Sequence, residues 1–177
     1  MRIVAGRLGG RSFASPHSRR THPMSDKMRG ALFNVLGDIG GLDVLDAFAG
    51  SGALSFEAIS RGAASALAIE NDKPAQRAIS ENVAALGLEP IVTLVSANCG
   101  SWSDNNLGRL FGLVLADPPY DKLQPHILSK LARHLQPEGL YVLSWPGGVA
   151  PPDVEGCHQV AQKVYGDAQL IFYRRDG

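Results

Sequence analysis

Two cysteines, Cys99 and Cys157, are all that the 177-residue sequence contains, too few for a disulfide framework or a cysteine-based metal site. Its five histidines, His17, His22, His126, His134 and His158, fall at no ligand spacing, so no metal is expected. No apolar run approaches the roughly 20 residues of a membrane span. The arginine-bearing N-terminus lacks the apolar core of a signal peptide. These absences predict a cytoplasmic chain with reduced thiols and no membrane partner. Net charge is also missing, since 17 basic residues balance 17 acidic ones. What is present, 45% apolar and 19% charged residues, suits a single globular domain with a full core.

The zero balance is uneven along the chain. Residues 1–29 carry Arg2, Arg7, Arg11, Arg19, Arg20, Lys27 and Arg29 against Asp26 alone, whereas the rest holds 10 basic and 16 acidic groups. A basic arm on an acidic body points to a polyanionic partner rather than a small acid. Within this arm, RIVAG and RSFA flank a glycine-rich turn and predict a β-hairpin. Residues 15–24, SPHSRRTHPM, read as a loop. Ser25 is placed to cap a helix from Asp26 to about Gly37. Met28, Leu32, Val35 and Leu36 would form its core face, with Lys27 and Arg29 off that face.

From residue 42 onward strands and helices alternate. Strands are expected at 42–46, 65–70, 91–95, 111–116 and 139–145, and helices at 53–61, 74–86 and 124–135. The second helix stops at Gly87 and the third before Pro137-Glu138-Gly139. Two last apolar runs, 157–164 and 168–174, meet at Gly166-Asp167, a hairpin signal. Near-continuous apolar strands separated by helices require a parallel sheet covered on both faces. The expected fold is α/β and three-layered, with a mostly parallel seven-stranded sheet, a C-terminal antiparallel hairpin and an N-terminal β-hairpin extension. Residues 1–24 are read as a basic appendage and 25–177 as the main domain.

The stretch VLDAFAGSGAL, residues 44–54, has the pattern of a buried strand, a glycine turn and a helix start, the usual site of a nucleotide-like ligand. A phosphate-binding P-loop is excluded because no lysine follows Gly52. A dinucleotide fingerprint remains open but imperfect, with Ser55 in place of its third glycine. S-adenosylmethionine is the third reading: Asp46 suits its ammonium, and the backbone N–H groups of the turn suit its carboxylate. Glu70, at the next strand's end, would accept from ribose hydroxyls with either adenosine cofactor.

Asp117-Pro118-Pro119-Tyr120, directly after strand 111–116, separates these readings. Its two prolines hold a turn at the sheet's ligand edge and prevent a helix from starting. The Pro118 carbonyl and the Asp117 carboxylate offer two acceptors that can grip one planar NH₂ group. Tyr120 offers a ring on which a base can stack. Together these residues point to methylation of an exocyclic amine. Trp145, at a strand's carboxyl end, is balanced between packing and stacking, whereas Trp102 reads as packing.

At these motifs the chain resembles class I S-adenosylmethionine-dependent methyltransferases with a Rossmann-like fold. MRIVAGRLGGRSF, HPMSDKMRGALFNVL, DAFAGSGALSFEAISRGA, the Glu70-Asn71-Asp72 turn, DPPY and VYGDAQLIFYRR resemble the RsmD family nearly end to end. The resemblance implies methyl transfer to guanine N2 in small-subunit (16S) ribosomal RNA, free or in an assembling 30S particle, by a monomer. It implies Asp46, Phe48, Gly50, Gly52 and Ala53 at the methionine end of the cofactor. Glu70 would hold the ribose, with Asn71, Asn98 and Cys99 around the adenine and Asp117, Pro118, Pro119 and Tyr120 at the reacting amine. Arg2, Arg7, Arg11, Arg19, Arg20, Lys27 and Arg29 would hold RNA. Asn98 stands where the family usually has Asp, and His22, Met24 and Gly30 replace common Arg, Thr and Glu. Rival readings keep the chemistry on DNA adenine N6 or a protein glutamine, or make the chain a non-catalytic RNA-binding assembly factor.

Overall fold

A computed structural model describes residues 1–17 and 23–177. After helix α1 (Asp26–Leu36), strands and helices alternate: β1 (Asp43–Ala47), α2 (Ala53–Ser60), β2 (Ser65–Glu70), α3 (Lys73–Leu86), β3 (Val92–Ser96), α4 (Cys99–Asn105), β4 (Phe111–Ala116), α5 (Pro125–Ala132) and β5 (Leu135–Pro146). The chain closes with β6 (Cys157–Tyr165) and β7 (Ala168–Arg175). One seven-stranded sheet has the order β3-β2-β1-β4-β5-β7-β6. β1 to β5 pair in parallel, and β7 is antiparallel to both β5 and β6. The expected three-layer α/β fold with a closing hairpin is therefore the one observed.

Side chains alternate across the sheet and build a core on each face. Val44, Leu113, Leu115, Val142 and Leu170 join α1, α2 and α3 on one face. Leu45, Val114, Tyr141, Leu143 and Ile171 join α4 and α5 on the other. Local signals fix the helix ends. Ser25 Oγ accepts from Met28 N at 3.1 Å, Asp72 caps α3 through Ala75 N, and Gly87 ends α3 in the left-handed region.

The structure departs from the sequence expectations in three places. The helix expected at 124–135 ends at Ala132, and β5 begins at Leu135 instead of Gly139. Pro137-Glu138-Gly139 is a bulge within that strand, with Glu138 at φ 63° and a register skip opposite Phe111–Leu113. β7 pairs with β5 only from Leu140 onward, so the missing Pro137 N–H breaks no ladder there. In α1, Val35 is exposed, and the buried face is Met28, Arg29, Leu32 and Phe33.

Third, the N-terminal hairpin is short, with one bridge, Arg2 to Ser12, flanked by Ile3 N to Arg11 O and Phe13 N to Met1 O, and its turn side bonds to α2 as well. Val4 N and Ala5 N donate to the Glu57 carboxylate at 2.8 and 3.2 Å, and Leu8 N donates to Ser60 Oγ at 2.9 Å. Ile3, Leu8 and Phe13 are buried, and the Phe13 ring meets Phe56 edge-on at 5.2 Å. The stretch set apart as an appendage thus contributes to the same core as the helices it covers.

Candidate active site

The loop after β1 reverses the chain through three left-handed residues, Phe48, Gly50 and Gly52, before α2 begins at Ala53. At Gly52 a Cβ would lie 2.8 Å from the Phe56 ring, so glycine is required by space as well as by φ. Asp46 is fully buried beneath this loop. Its Oδ2 accepts from Ser55 Oγ at 2.6 Å and Ser55 N at 3.1 Å. Its Oδ1 is buried without a hydrogen-bond partner among the described residues. Burial pushes the carboxyl up to about 7, against the pull of the two Ser55 bonds. An orphaned acceptor of this kind fits a cationic ammonium. Ser55, read in the sequence only as a mismatch to a glycine fingerprint, is the residue that orients Asp46.

Glu70, at the end of β2, ties two loops together. Its Oε2 accepts from Gly50 N at 2.7 Å, and its Oε1 accepts from Asn71 N and Asp72 N, each at 2.9 Å. With one N–H on Oε2, that oxygen retains capacity for a further donor. The Asn71 side chain is exposed. Asn98 caps α4, with Oδ1 accepting from Ser101 N at 2.8 Å, so its amide presents donors outward. Cys99 is buried, and burial pushes its thiol up to about 12; it is a neutral packing group in the floor beside Phe48.

Ala116, the last residue of β4, is in register with Ala47, so Asp117 emerges beside the glycine loop. Alternation from Val44, Leu115 and Val142 puts Asp46, Asp117 and Ser144 on one face of the sheet. Burial raises the Asp117 carboxyl to about 6, and the Ser144 hydroxyl pulls it back. Ser144 Oγ also bonds to the Tyr120 hydroxyl at 2.6 Å, leaving that ring 40% exposed. Pro118 is buried and Pro119 exposed. Ser144 escaped sequence reasoning; its signal was a lone hydroxyl near the carboxyl end of an apolar strand. Trp145 is buried and its Nε1 donates to Ala150 O at 3.1 Å, which makes it a packing residue. Trp102 packs on His134 and Phe111.

The five basic residues of this set that the structure describes do not form one patch. Arg29 is wholly buried, which corrects its assignment to RNA: its guanidinium bonds to Arg2 O, Met24 O and Asp26 Oδ1 and lies 3.7 Å from Glu57 Oε2. Arg7 and Arg11 lie at the far ends of α2 and α3, where Arg7 N bonds to Ser60 O and the Arg11 guanidinium reaches Ala85 O. That is the edge opposite the glycine loop. Arg2 and Lys27 sit near the start of α1, on the loop's side. Arg19, Arg20 and His22 lie outside the described residues.

Among the described residues, no group of three His, Cys, Asp or Glu side chains could hold a metal ion. No helix there is long and apolar enough to cross a membrane. A family model described as Conserved hypothetical protein 95 matches residues 1–174. Ribosomal RNA small subunit methyltransferase D of Escherichia coli (strain K12) is 37% identical over 99% of this chain and 90% of its own length. The solved yhhF protein of Escherichia coli is 31% identical, with a TM-score of 0.88 over 99% of this chain and 98% of that one. SMU.776, solved with SAH, is 14% identical and shares the fold alone, with a TM-score of 0.63 over 84% of this chain and 48% of its own. With the family model spanning nearly every residue and a 37% identical relative aligned end to end, the chain belongs to the RsmD family of S-adenosylmethionine-dependent ribosomal RNA methyltransferases.

Proposed function

We propose that this chain transfers a methyl group to the exocyclic N2 amine of a guanine in small-subunit ribosomal RNA, free or in an assembling 30S particle. The observation that carries this reading is the Asp117–Ser144–Tyr120 corner, set beside the glycine loop on the same face as the orphaned Asp46 Oδ1. S-adenosylmethionine supplies a methyl on a sulfonium sulfur, which leaves as the neutral thioether of S-adenosylhomocysteine. Asp46 Oδ1 would accept from the ammonium of the bound cofactor, and Glu70 Oε2 from its ribose. The Asn98 amide, its oxygen occupied by Ser101 N, would offer its N–H donors to the adenine's acceptor nitrogens.

At the reacting end, the Asp117 carboxylate and the Pro118 carbonyl each accept one N–H of the guanine amine. This grip turns the N2 lone pair toward the methyl, and after attack the methylated amine passes its proton to the Asp117 carboxylate that holds it. Ser144 bonds to Tyr120 beside Asp117 and holds the ring where it can stack on a base flipped out of folded RNA. No covalent enzyme intermediate and no metal is required. Positioning supplies most of the rate, on a scale of up to roughly 7–11 kcal/mol for well-oriented reactants. The reaction takes place in the cytoplasm on a basic surface formed in part by Arg2 and Lys27.

Labelled methyl transfer to small subunits lacking the modification, followed by mapping of the methylated nucleotide, tests the reading. Label at guanine N2 is the expected result, and label confined to adenine or protein overturns it.

A further inference from the structure

A cleft of about 420 Å³ lies between the start of α1 and the tip of the β6–β7 hairpin, lined by Ser25, Lys27, Met28, Val164, Tyr165 and Gly166. That volume is within the range of roughly 300–1,000 Å³ that takes small ligands. The cleft opens at the carboxyl edge of the sheet, since Ala168 is in register with Pro146 at the end of β5. Its apolar floor belongs to the same face as Asp117 and Ser144, because Met28, Tyr165 and Ala168 all pack on the α1–α2–α3 core. Three strand spacings separate β6 from β4, about 14 Å. An extended strand of one or two nucleotides bridges that gap.

The walls are held in place. Gly147 N donates to Asp167 O at 2.7 Å, and Gln169 Nε2 donates to Pro146 O and Val149 O at 2.9 and 2.7 Å, which clamps the hairpin tip to the end of β5. Opposite, the only acid in the first turn of α1, Asp26, is engaged by Arg29 at 2.8 Å and Arg2 at 3.5 Å. Lys27 forms no ion pair among the described residues and is exposed. The cleft thus presents an aromatic ring and an unneutralised ammonium across from each other. That combination fits the two parts of a nucleotide, base and phosphate.

We infer that this cleft holds an RNA nucleotide flanking the target guanine, its base stacked on Tyr165 and its phosphate on Lys27. This assignment rests on the proposed RNA substrate. Neither residue touches the reacting atoms; both set where the strand lies and therefore which nucleotide reaches Asp117.

Fluorescence anisotropy with a short single-stranded RNA, beside methylation of unmodified small subunits, tests it on wild type, Tyr165→Ala, Tyr165→Phe and Lys27→Ala. Calorimetric titration of S-adenosylmethionine verifies that each variant is folded. Tyr165→Ala is expected to weaken RNA binding about 5- to 150-fold, the equivalent of the ~1–3 kcal/mol of a base–aromatic stack. It should raise KM for RNA while cofactor affinity is kept, and Tyr165→Phe should restore binding. Lys27→Ala should flatten the salt dependence. If methylation proceeds but Tyr165→Ala binds RNA as wild type does, the cleft assignment is wrong while the enzymatic reading survives. If Tyr165→Ala abolishes RNA binding but no variant or wild type methylates, the cleft stands and the reaction falls. Absence of RNA binding by folded wild type overturns both.

Discussion

Asp46, fully buried, and Asp117, half-buried, are two carboxyls on one face of the sheet, raised to about 7 and about 6, each chiefly by loss of solvent. Each is an acid whose folded pKa exceeds its ordinary value, so the folded chain binds protons that the unfolded chain has already released. The resulting stability is complete below the ordinary carboxylate range and is lost as pH rises through about 6 and then about 7. Asp46→Asn should therefore raise the thermal midpoint of the ligand-free protein at pH 8, by less at pH 5, and little below the ordinary carboxylate range. The same variant should weaken cofactor binding about 10-fold or more, the scale of a lost hydrogen bond to a charged group. Both effects are read by calorimetry. Ionised Asp117 is the stronger acceptor and can take the amine's proton, so kcat should climb between pH 5 and 7 with a midpoint near 6. Asp117→Ala should lower kcat about 100-fold or more, the scale of losing one preorganised polar group, with cofactor affinity unchanged. Undiminished turnover would remove Asp117 from the reaction.

At the scale of elements, the N-terminal segment, α1 and α2 are joined by one buried charged cluster. Glu57 receives Val4 N, Ala5 N and Arg61 Nε, and Arg29 lies against it with its remaining donors on Arg2 O, Met24 O and Asp26. Removing the Arg29 guanidinium leaves Arg2 O and Met24 O without their donor, while Glu57 keeps Arg61 and two backbone N–H groups. Arg29→Met is accordingly expected to cost about 1–3 kcal/mol in denaturant unfolding. The second attachment is steric. Gly6 adopts φ 85° against the end of α2, where a Cβ would overlap the Ser60 carbonyl. Gly6→Ala should release the segment, and hydrogen exchange at the Val4, Ala5 and Leu8 amides would report it as lost protection. α2 starts at the glycine loop and ends beneath this segment, so the same helix carries both.

For the whole molecule, the distribution of positive charge decides how RNA can approach. Arg7 and Arg11 lie one helix length from the ligand edge, about 12 Å along α2 and 21 Å along α3. Lys27 lies at that edge. The salt dependence of RNA binding should therefore separate them. Lys27→Ala lowers the slope of log K against log salt by about 0.7, the loss of one single-strand phosphate contact. Arg7→Glu with Arg11→Glu leaves the slope close to wild type, and a large fall would mean that the RNA wraps around to the far edge.

Periodicity, caps and glycine positions made most of the fold legible in the sequence, because they act between residues close in the chain. Strand-helix alternation located all seven strands, Ser25 and Gly87 bounded their helices, and the Gly50-Gly52 and DPPY turns marked the ligand edge. The β5 bulge was hidden because Pro137-Gly139 has the local chemistry of a turn, and only pairing with β4 keeps it in a strand. The sequence also could not separate Arg29 from Lys27, two cations in one helical turn. Whether a charge faces solvent or Glu57 depends on which element packs against that side of α1. Ser55 and Ser144 gained their roles in the same way, from carboxylates 9 and 27 residues away that the sheet brings beside them. Local sequence determined where the glycine loop and the DPPY turn lie; long-range packing decided which polar groups surround them.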